Sequence, residues 1–171
     1  MYKRQAQPEI PCYQWQTVED ISRGVESLKG KVDGIIFDGP AGLNESTKTL
    51  MAICEGVLLP VGPSMLDLSA LQQTLRIAAE IQKARKGFPV VRLVPNKLQR
   101  RYRLSQELIH EVESADVLGS SGLGYRQAFA DAAGQGTVVW RMGSAARTAS
   151  KEMKRLFEET LNSESTFEEN E

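Results

Sequence analysis

Three short runs constrain this chain most. "VDGIIFD" at 32–38, "GVLLPV" at 56–61 and "FPVVRLVP" at 88–95 are continuous or near-continuous apolar runs, and segments of helical periodicity separate them. A strand with one wet face alternates apolar and polar residues, whereas a continuous apolar run must be covered on both faces. Covered strands alternating with helices imply an α/β fold: a mostly parallel sheet with helices on both faces. The prolines at 89 and 95 must then lie at the ends of the third strand, because proline cannot donate to a ladder.

The helices have their own signals. Thr17 reads as an N-cap with Asp20 three residues on, followed by Val18, Ile21, Val25 and Leu28 at helical spacing, and Gly30 closes the helix. A helix is expected over about 45–54. A long one over about 66–86 carries Leu68, Leu71, Leu75 and Ala78, and another carries Leu104, Leu108, Ile109 and Val112. A Gly/Ser turn at 119–122 leads to a short helix near 124–133. The last helix, about 144–161, has Ala149, Met153, Leu156, Phe157 and Leu161 on its apolar face. "IPCYQWQ" at 10–16 has the composition of a short strand. The expected layout is a flexible N-terminus (1–9), one α/β domain (10–161) and an acidic, disordered tail (162–171).

Composition excludes several functions. The formal charge is −1, so no whole-chain field draws the protein to nucleic acid or membrane. No apolar run reaches the roughly 20 residues that span a bilayer, and the first residues lack the apolar core of a signal peptide, so no membrane role and a cytoplasmic location are expected. Cys12 and Cys54 form no C-x-x-C pair and read as buried free thiols in a reducing compartment. His110, the only histidine, reads as a surface residue of a polar helical stretch.

In open parallel sheets, ligands sit outside the carboxyl ends of the strands. Asp38 ends the first run, Gly62-Pro63-Ser64 follows the second, and Asn96-Lys97 follows the third. An acid at a strand end, followed by Gly39-Pro40-Ala41-Gly42, suits a hard cation and a phosphate. The phosphate cradle itself is missing: no G-x-x-x-x-G-K-S/T occurs. Its nearest approach, "GVESLKGKV" at 24–32, has the wrong spacing and reads as a helix end.

Taken in order, "VDGIIFDGPAG", "GVLLPVGPSMLDLSAL", "VVRLVPNKL" and "GYRQAFADAAGQGTVV" resemble the ParA/MinD family of deviant P-loop ATPases, closest to plasmid-type ParA partition proteins, over about residues 10–160. The resemblance implies a P-loop NTPase-like sheet lacking its P-loop strand and helix. It implies that Asp38 supports Mg²⁺ through a water, that Gly39, Pro40 and Gly42 form a switch sensing the γ-phosphate, that Asn96 lies near the adenine, and that Arg126 flanks the base side. ATP and Mg²⁺ are the cofactors implied for a complete protein, and none need bind this chain alone. The implied partners are a second copy in the ATP state, non-specific DNA and a ParB-like protein, serving plasmid or chromosome segregation. Against the family pattern, the chain begins about a third of the way in. It is therefore expected to be a fragment, a truncated gene product or a pseudo-ATPase, without turnover of its own.

Eight basic residues and no acidic ones lie between Lys83 and Arg103: Lys83, Arg85, Lys86, Arg92, Lys97, Arg100, Arg101 and Arg103. Arg147, Lys151, Lys154 and Arg155 follow one face of the last helix, while acids gather in the tail. These basic patches fit the DNA-coating surface that the resemblance implies, with the steep salt dependence of counterion release. Two alternatives stand beside the ATPase. One is a catalytically dead scaffold or DNA-binding adaptor. The other is a phospho-receiver domain, whose order of acid, hydroxyl and lysine is imitated by Asp38, Ser64 and Lys97 but whose acidic pair is absent from 10–16.

Overall fold

The structure, a computed structural model, describes residues 11–40 and 42–161. The expected flexible N-terminus (1–9) and acidic tail (162–171) lie outside the described residues, as do Ile10 and Ala41. The elements run α1 (Val18–Leu28), α2 (Glu45–Ile53), β1 (Gly56–Val61), α3 (Met65–Ala84), β2 (Val90–Pro95), α4 (Arg103–Ser114), β3 (Leu118–Gly119), α5 (Gln127–Gly134), two 3₁₀ turns (Val139–Arg141 and Gly143–Ala146) and α6 (Arg147–Leu161). The fold is α/β, with a small parallel sheet in the order β1-β2-β3 flanked by helices. Two compact units divide the described chain, one built from 58–71 and 91–161, the other from 11–57 and 72–90.

In the first unit, β2 is the core strand. Val91 to Pro95 are all buried, as two-sided cover of the run requires. Leu93 (β2) and Leu108 (α4) are 1% and 0% exposed. Burial of each such leucine contributes about 1.5–3 kcal/mol. α6 packs Leu156 with Val94 and Leu123, and Ala149 with Ala132, Val139 and Ala146. Pro89 and Pro95 stand at the two ends of β2, as expected.

β3 is only two residues long. It pairs in parallel with β2, Arg92 opposite Leu118 and Leu93 opposite Gly119. Arg92 is 8% exposed and donates from Nη1 to the Gly119 carbonyl at 2.9 Å, so this cation belongs to the interior. A further parallel bridge joins Leu98 to Gly124. The offset is 26 in all three pairs (118 − 92, 119 − 93, 124 − 98), so the register survives the intervening turn.

In the second unit, α1 has the expected capping box: Asp20 N donates to Thr17 Oγ1 at 3.1 Å and Thr17 N to Asp20 Oδ2 at 3.2 Å. The Thr17 hydroxyl, outweighing the little desolvation there, holds the Asp20 carboxyl below its usual range. α2 starts at Asn44, whose Oδ1 accepts from Thr47 N at 2.9 Å. At its other end Arg85 donates to the Cys54 carbonyl at 2.5 Å and stacks over Phe88, satisfying an orphan helix-end acceptor.

Two expected strands are not formed. Residues 11–16 are irregular, and 32–38 adopt no strand, with Ile36 99% exposed and Phe37 tilted against Trp15. An apolar run becomes a strand only when a neighbour completes its ladder and both faces are covered. Among the described residues, neither condition is met at 32–38. Among the described residues neither cysteine forms a disulfide, but Cys12 is exposed and Cys54 half-buried, which corrects the expectation of two buried thiols. Burial raises the Cys54 thiol above its usual range, against the nearby Arg85 charge. His110 is exposed on α4, as expected.

Candidate functional site at the carboxyl edge of the sheet

Within the first unit, the expected edge residues do come together. Asn96 N donates to the Val61 carbonyl at 2.8 Å, so the turn after β1 and the turn after β2 leave the sheet side by side. The β1 turn is closed by Ser64 N to the Gly62 carbonyl at 2.9 Å. Ser64 Oγ then accepts from Asp67 N at 3.1 Å and caps the start of α3. A Cβ at Gly62 would run into the Asp67 carboxylate, so that acid lies directly over the turn.

Asn96 folds its own side chain back, Oδ1 accepting from Lys97 N at 2.8 Å, and Lys97 follows in the left-handed region at φ 55°. The amide nitrogen of Asn96 is thereby left to point elsewhere. The chain next runs beside 123–125: Leu123 N donates to the Pro95 carbonyl at 2.8 Å, Leu98 N to Leu123 O at 3.0 Å, and Tyr125 N to Leu98 O at 2.8 Å. Gly122 makes this approach possible. Its φ is 74°, and a Cβ would stand 2.7 Å from the Pro95 carbonyl oxygen and 2.9 Å from Leu98 Cδ1.

Arg126 closes the segment. Its guanidinium donates through Nε to Glu152 Oε2 at 2.8 Å and through Nη2 to Glu152 Oε1 at 2.6 Å, while Gly124 N reaches the same carboxylate at 3.2 Å. Burial alone would raise the Glu152 carboxyl, but hydrogen bonds from Arg126 and Gly124 and the charges of Arg126 and Arg155 hold it below the usual range. The hydrogen bond to Glu152 raises Arg126 in turn. One helical turn pair further along α6, Glu159 accepts from Ser121 N at 3.0 Å and from the Ser121 hydroxyl. Two α6 carboxylates therefore pin both ends of 121–126. Their seven-residue spacing on one helix face is visible in the sequence, but the partners lie 26 and 38 residues earlier and give no local signal.

The expected metal-side residues belong to the second unit. Asp38 is exposed and ends no strand, contrary to the expectation, because the run before it has no ladder. Gly39, Pro40 and Gly42 are exposed too, Gly42 with φ 84° and open space where a Cβ would go. A carboxylate of this kind suits a hydrated divalent cation, but no backbone cradle for a triphosphate surrounds it among the described residues. No group of three or more acidic, His or Cys side chains able to hold a metal occurs there either. No described helix is long and apolar enough to cross a membrane.

The basic residues divide. Lys83 and Lys86 are exposed in the second unit, where Arg85 is engaged with the end of α2. In the first unit Arg100, Arg101 and Arg103 are exposed around the start of α4, Arg101 stacked on Tyr102 and Arg103 paired with Glu107 at 3.2 Å. Arg147, Lys151, Lys154 and Arg155 are exposed along α6, and among the described residues only Arg155 has a carboxylate within 4.0 Å, Glu159 at 3.9 Å.

No model of a known protein family matches the chain. Over 133 residues it is 30% identical to the "Maintenance of carboxysome distribution protein A" of Halothiobacillus neapolitanus, an alignment covering 75% of this chain and 60% of that protein. The chain thus spans less than two thirds of the length of this curated relative, and it is similar to a protein whose name assigns it to the distribution of a cellular body.

Proposed function

We propose that the chain is part of a ParA/MinD-type positioning ATPase. The observation that carries this reading is the similarity over 133 residues to a protein that maintains the distribution of carboxysomes. Four motifs in the family's order support it, as does the sheet edge at which Asn96 and 122–126 lie side by side. In this reading Asp38 serves Mg²⁺ through a water and Gly39, Pro40 and Gly42 form the γ-phosphate switch. Asn96 and the segment ending at Arg126 border the adenine. ATP supplies the free energy of a cycle in which two copies associate, bind DNA and release it after hydrolysis. A ParB-like partner is expected to act on that cycle, in the cytoplasm at the nucleoid. What is positioned follows from partner surfaces; a plasmid, a chromosome and a protein body are all compatible with a DNA-bound motor.

This chain's own residues supply recognition rather than chemistry. Asn96 offers an amide beside a fixed backbone, and Glu152 fixes Arg126 so that the base-side wall is rigid. No lysine-bearing phosphate loop is present in the sequence, so turnover is not expected from these residues alone. The DNA role rests on Arg100, Arg101, Arg147, Lys151 and Lys154, with Lys83 and Lys86 in the other unit. Fluorescence anisotropy with a mixed-sequence duplex tests it. Binding at low salt that weakens in proportion to log salt, with a slope reduced by about one for each cation replaced, is expected. Absence of binding at about 50 mM salt, where screening is modest, would remove the DNA step.

A further inference from the structure

The loop between β2 and α4 presents cations and aromatic rings on a fixed backbone. Gln99 N donates to Ser105 Oγ at 3.0 Å, Tyr102 N to the Gln99 carbonyl at 2.8 Å, and Gln106 Nε2 to the Arg100 carbonyl at 3.1 Å. Leu98 and Ser105 anchor it, 4% and 1% exposed. The side chains it carries are nonetheless wet: Lys97, Arg100, Arg101 and Arg103 are all exposed. Among the described residues, only Arg103 of these four has a carboxylate within 4.0 Å, Glu107 at 3.2 Å.

Two rings belong to the same surface. Tyr102 is 48% exposed and Tyr125 is 66% exposed. The Arg101 guanidinium lies 4.9 Å from the Tyr102 ring centroid and donates to the Tyr102 hydroxyl at 3.0 Å, so the two side chains form one layered π-surface. Tyr125 sits in the 121–126 segment that α6 pins, and its N–H donates to the Leu98 carbonyl at 2.8 Å. Through Leu98 and Gln99 the Cα atoms of Tyr125 and Tyr102 are therefore within about 16 Å of each other, a span of a few nucleotides. A duplex keeps its bases stacked inside and meets such a loop through phosphates alone, for which cations suffice and exposed rings add little. A single strand also offers the faces of its bases, which stack on tyrosine rings and guanidinium planes. We propose that residues 97–103 together with Tyr125 bind single-stranded nucleic acid. Lys97, Arg100 and Arg103 take the phosphates, and Tyr102 with Arg101 and Tyr125 take the bases, without reading their sequence.

For its cations this inference rests on the DNA reading given above; the rings and the strandedness are what it adds. The test is fluorescence anisotropy of the full chain at about 50 mM salt. Its probes are an oligo-dT of about 15 nucleotides, an oligo-U of equal length and a duplex of equal length. Tyr102→Ala and Tyr125→Ala are each expected to weaken oligo-dT binding about tenfold and duplex binding less than about twofold. Tyr102→Phe and Tyr125→Phe keep a ring and are expected to bind oligo-dT like the parent. Both tyrosines are exposed, so neither alanine variant is expected to unfold. Tighter oligo-U binding would assign the loop to RNA and tighter oligo-dT binding to DNA, and either sustains the stacking. An unchanged oligo-dT affinity in the alanine variants, or an equal loss on single strand and duplex, would overturn the inference. Binding of the duplex alone would overturn it and leave the DNA reading standing, whereas binding of none of the three probes would remove both.

Discussion

Arg126 and Glu152 face each other as a fork on a fork, with two hydrogen bonds of 2.8 and 2.6 Å across 26 residues of sequence. The pair fastens α6 to the start of α5, and Gly124 N adds a third donor to the same carboxylate. The 121–126 segment is thus held from behind by α6 while its front runs along Pro95–Leu98.

Replacing Glu152 by Ala leaves Arg126 and the Gly124 N–H without their acceptor. Charged hydrogen bonds contribute about 1.5–3 kcal/mol each when shielded, but Arg126 is more than a third exposed, so a net loss of about 1–2 kcal/mol is expected. Arg155→Ala, which removes the long Glu159 contact and one more distant charge near Glu152, should stay within about 0.5 kcal/mol. Urea unfolding of the two variants makes the comparison.

The same contact gives an acid signature. The folded Glu152 carboxyl titrates lower than it does in the unfolded chain, so the unfolded state binds the proton more readily. Its stabilisation is fully present above the usual glutamate range and disappears as pH falls through the lowered folded value. Melting temperature measured from neutral pH downwards should therefore fall less steeply below about pH 4.5 in Glu152→Gln than in the parent. An identical slope in both would show that this pair is open in solution.

Gly122→Ala should be costly for two reasons at once, a left-handed φ and the Pro95 carbonyl at 2.7 Å from the new Cβ. A loss of roughly 2–4 kcal/mol is expected. Gly136→Ala shares the positive φ but meets nothing within 4 Å, so about 1 kcal/mol is expected there. Denaturation midpoints of the two variants separate crowding from backbone strain.

Much of the fold was legible. The Thr17–Asp20 box, the bounds of β1, and the prolines flanking β2 follow from local chemistry, and local chemistry is what a sequence displays. β3 was missed because two residues carry no periodicity, and its neighbour Ser120–Gly122 looks like any turn. The 32–38 run was misread because composition reports what a segment needs, and a strand also depends on what stands beside it. At the site, Asn96 and the 62–64 turn were legible from strand ends, whereas Glu152, Glu159 and the internal role of Arg92 depend on contacts far apart in sequence.

With Ile36 99% exposed, Ile36→Ser should change stability by no more than about 0.5 kcal/mol, whereas Leu108→Ala, at 0% exposure, should cost about 2–5 kcal/mol. A large loss in Ile36→Ser, read by urea unfolding, would mean that the run is covered in solution.

The central proposal is that this chain carries base-side and metal-side groups of a positioning ATPase but, among the described residues, no triphosphate cradle. Titration of the purified chain with a fluorescent ATP analogue, with and without Mg²⁺ and repeated in Asp38→Ala, tests it most directly. No saturable binding in the micromolar range is expected. Micromolar, Mg²⁺-dependent binding that Asp38→Ala abolishes would contradict it, by revealing a phosphate site built from residues not identified above.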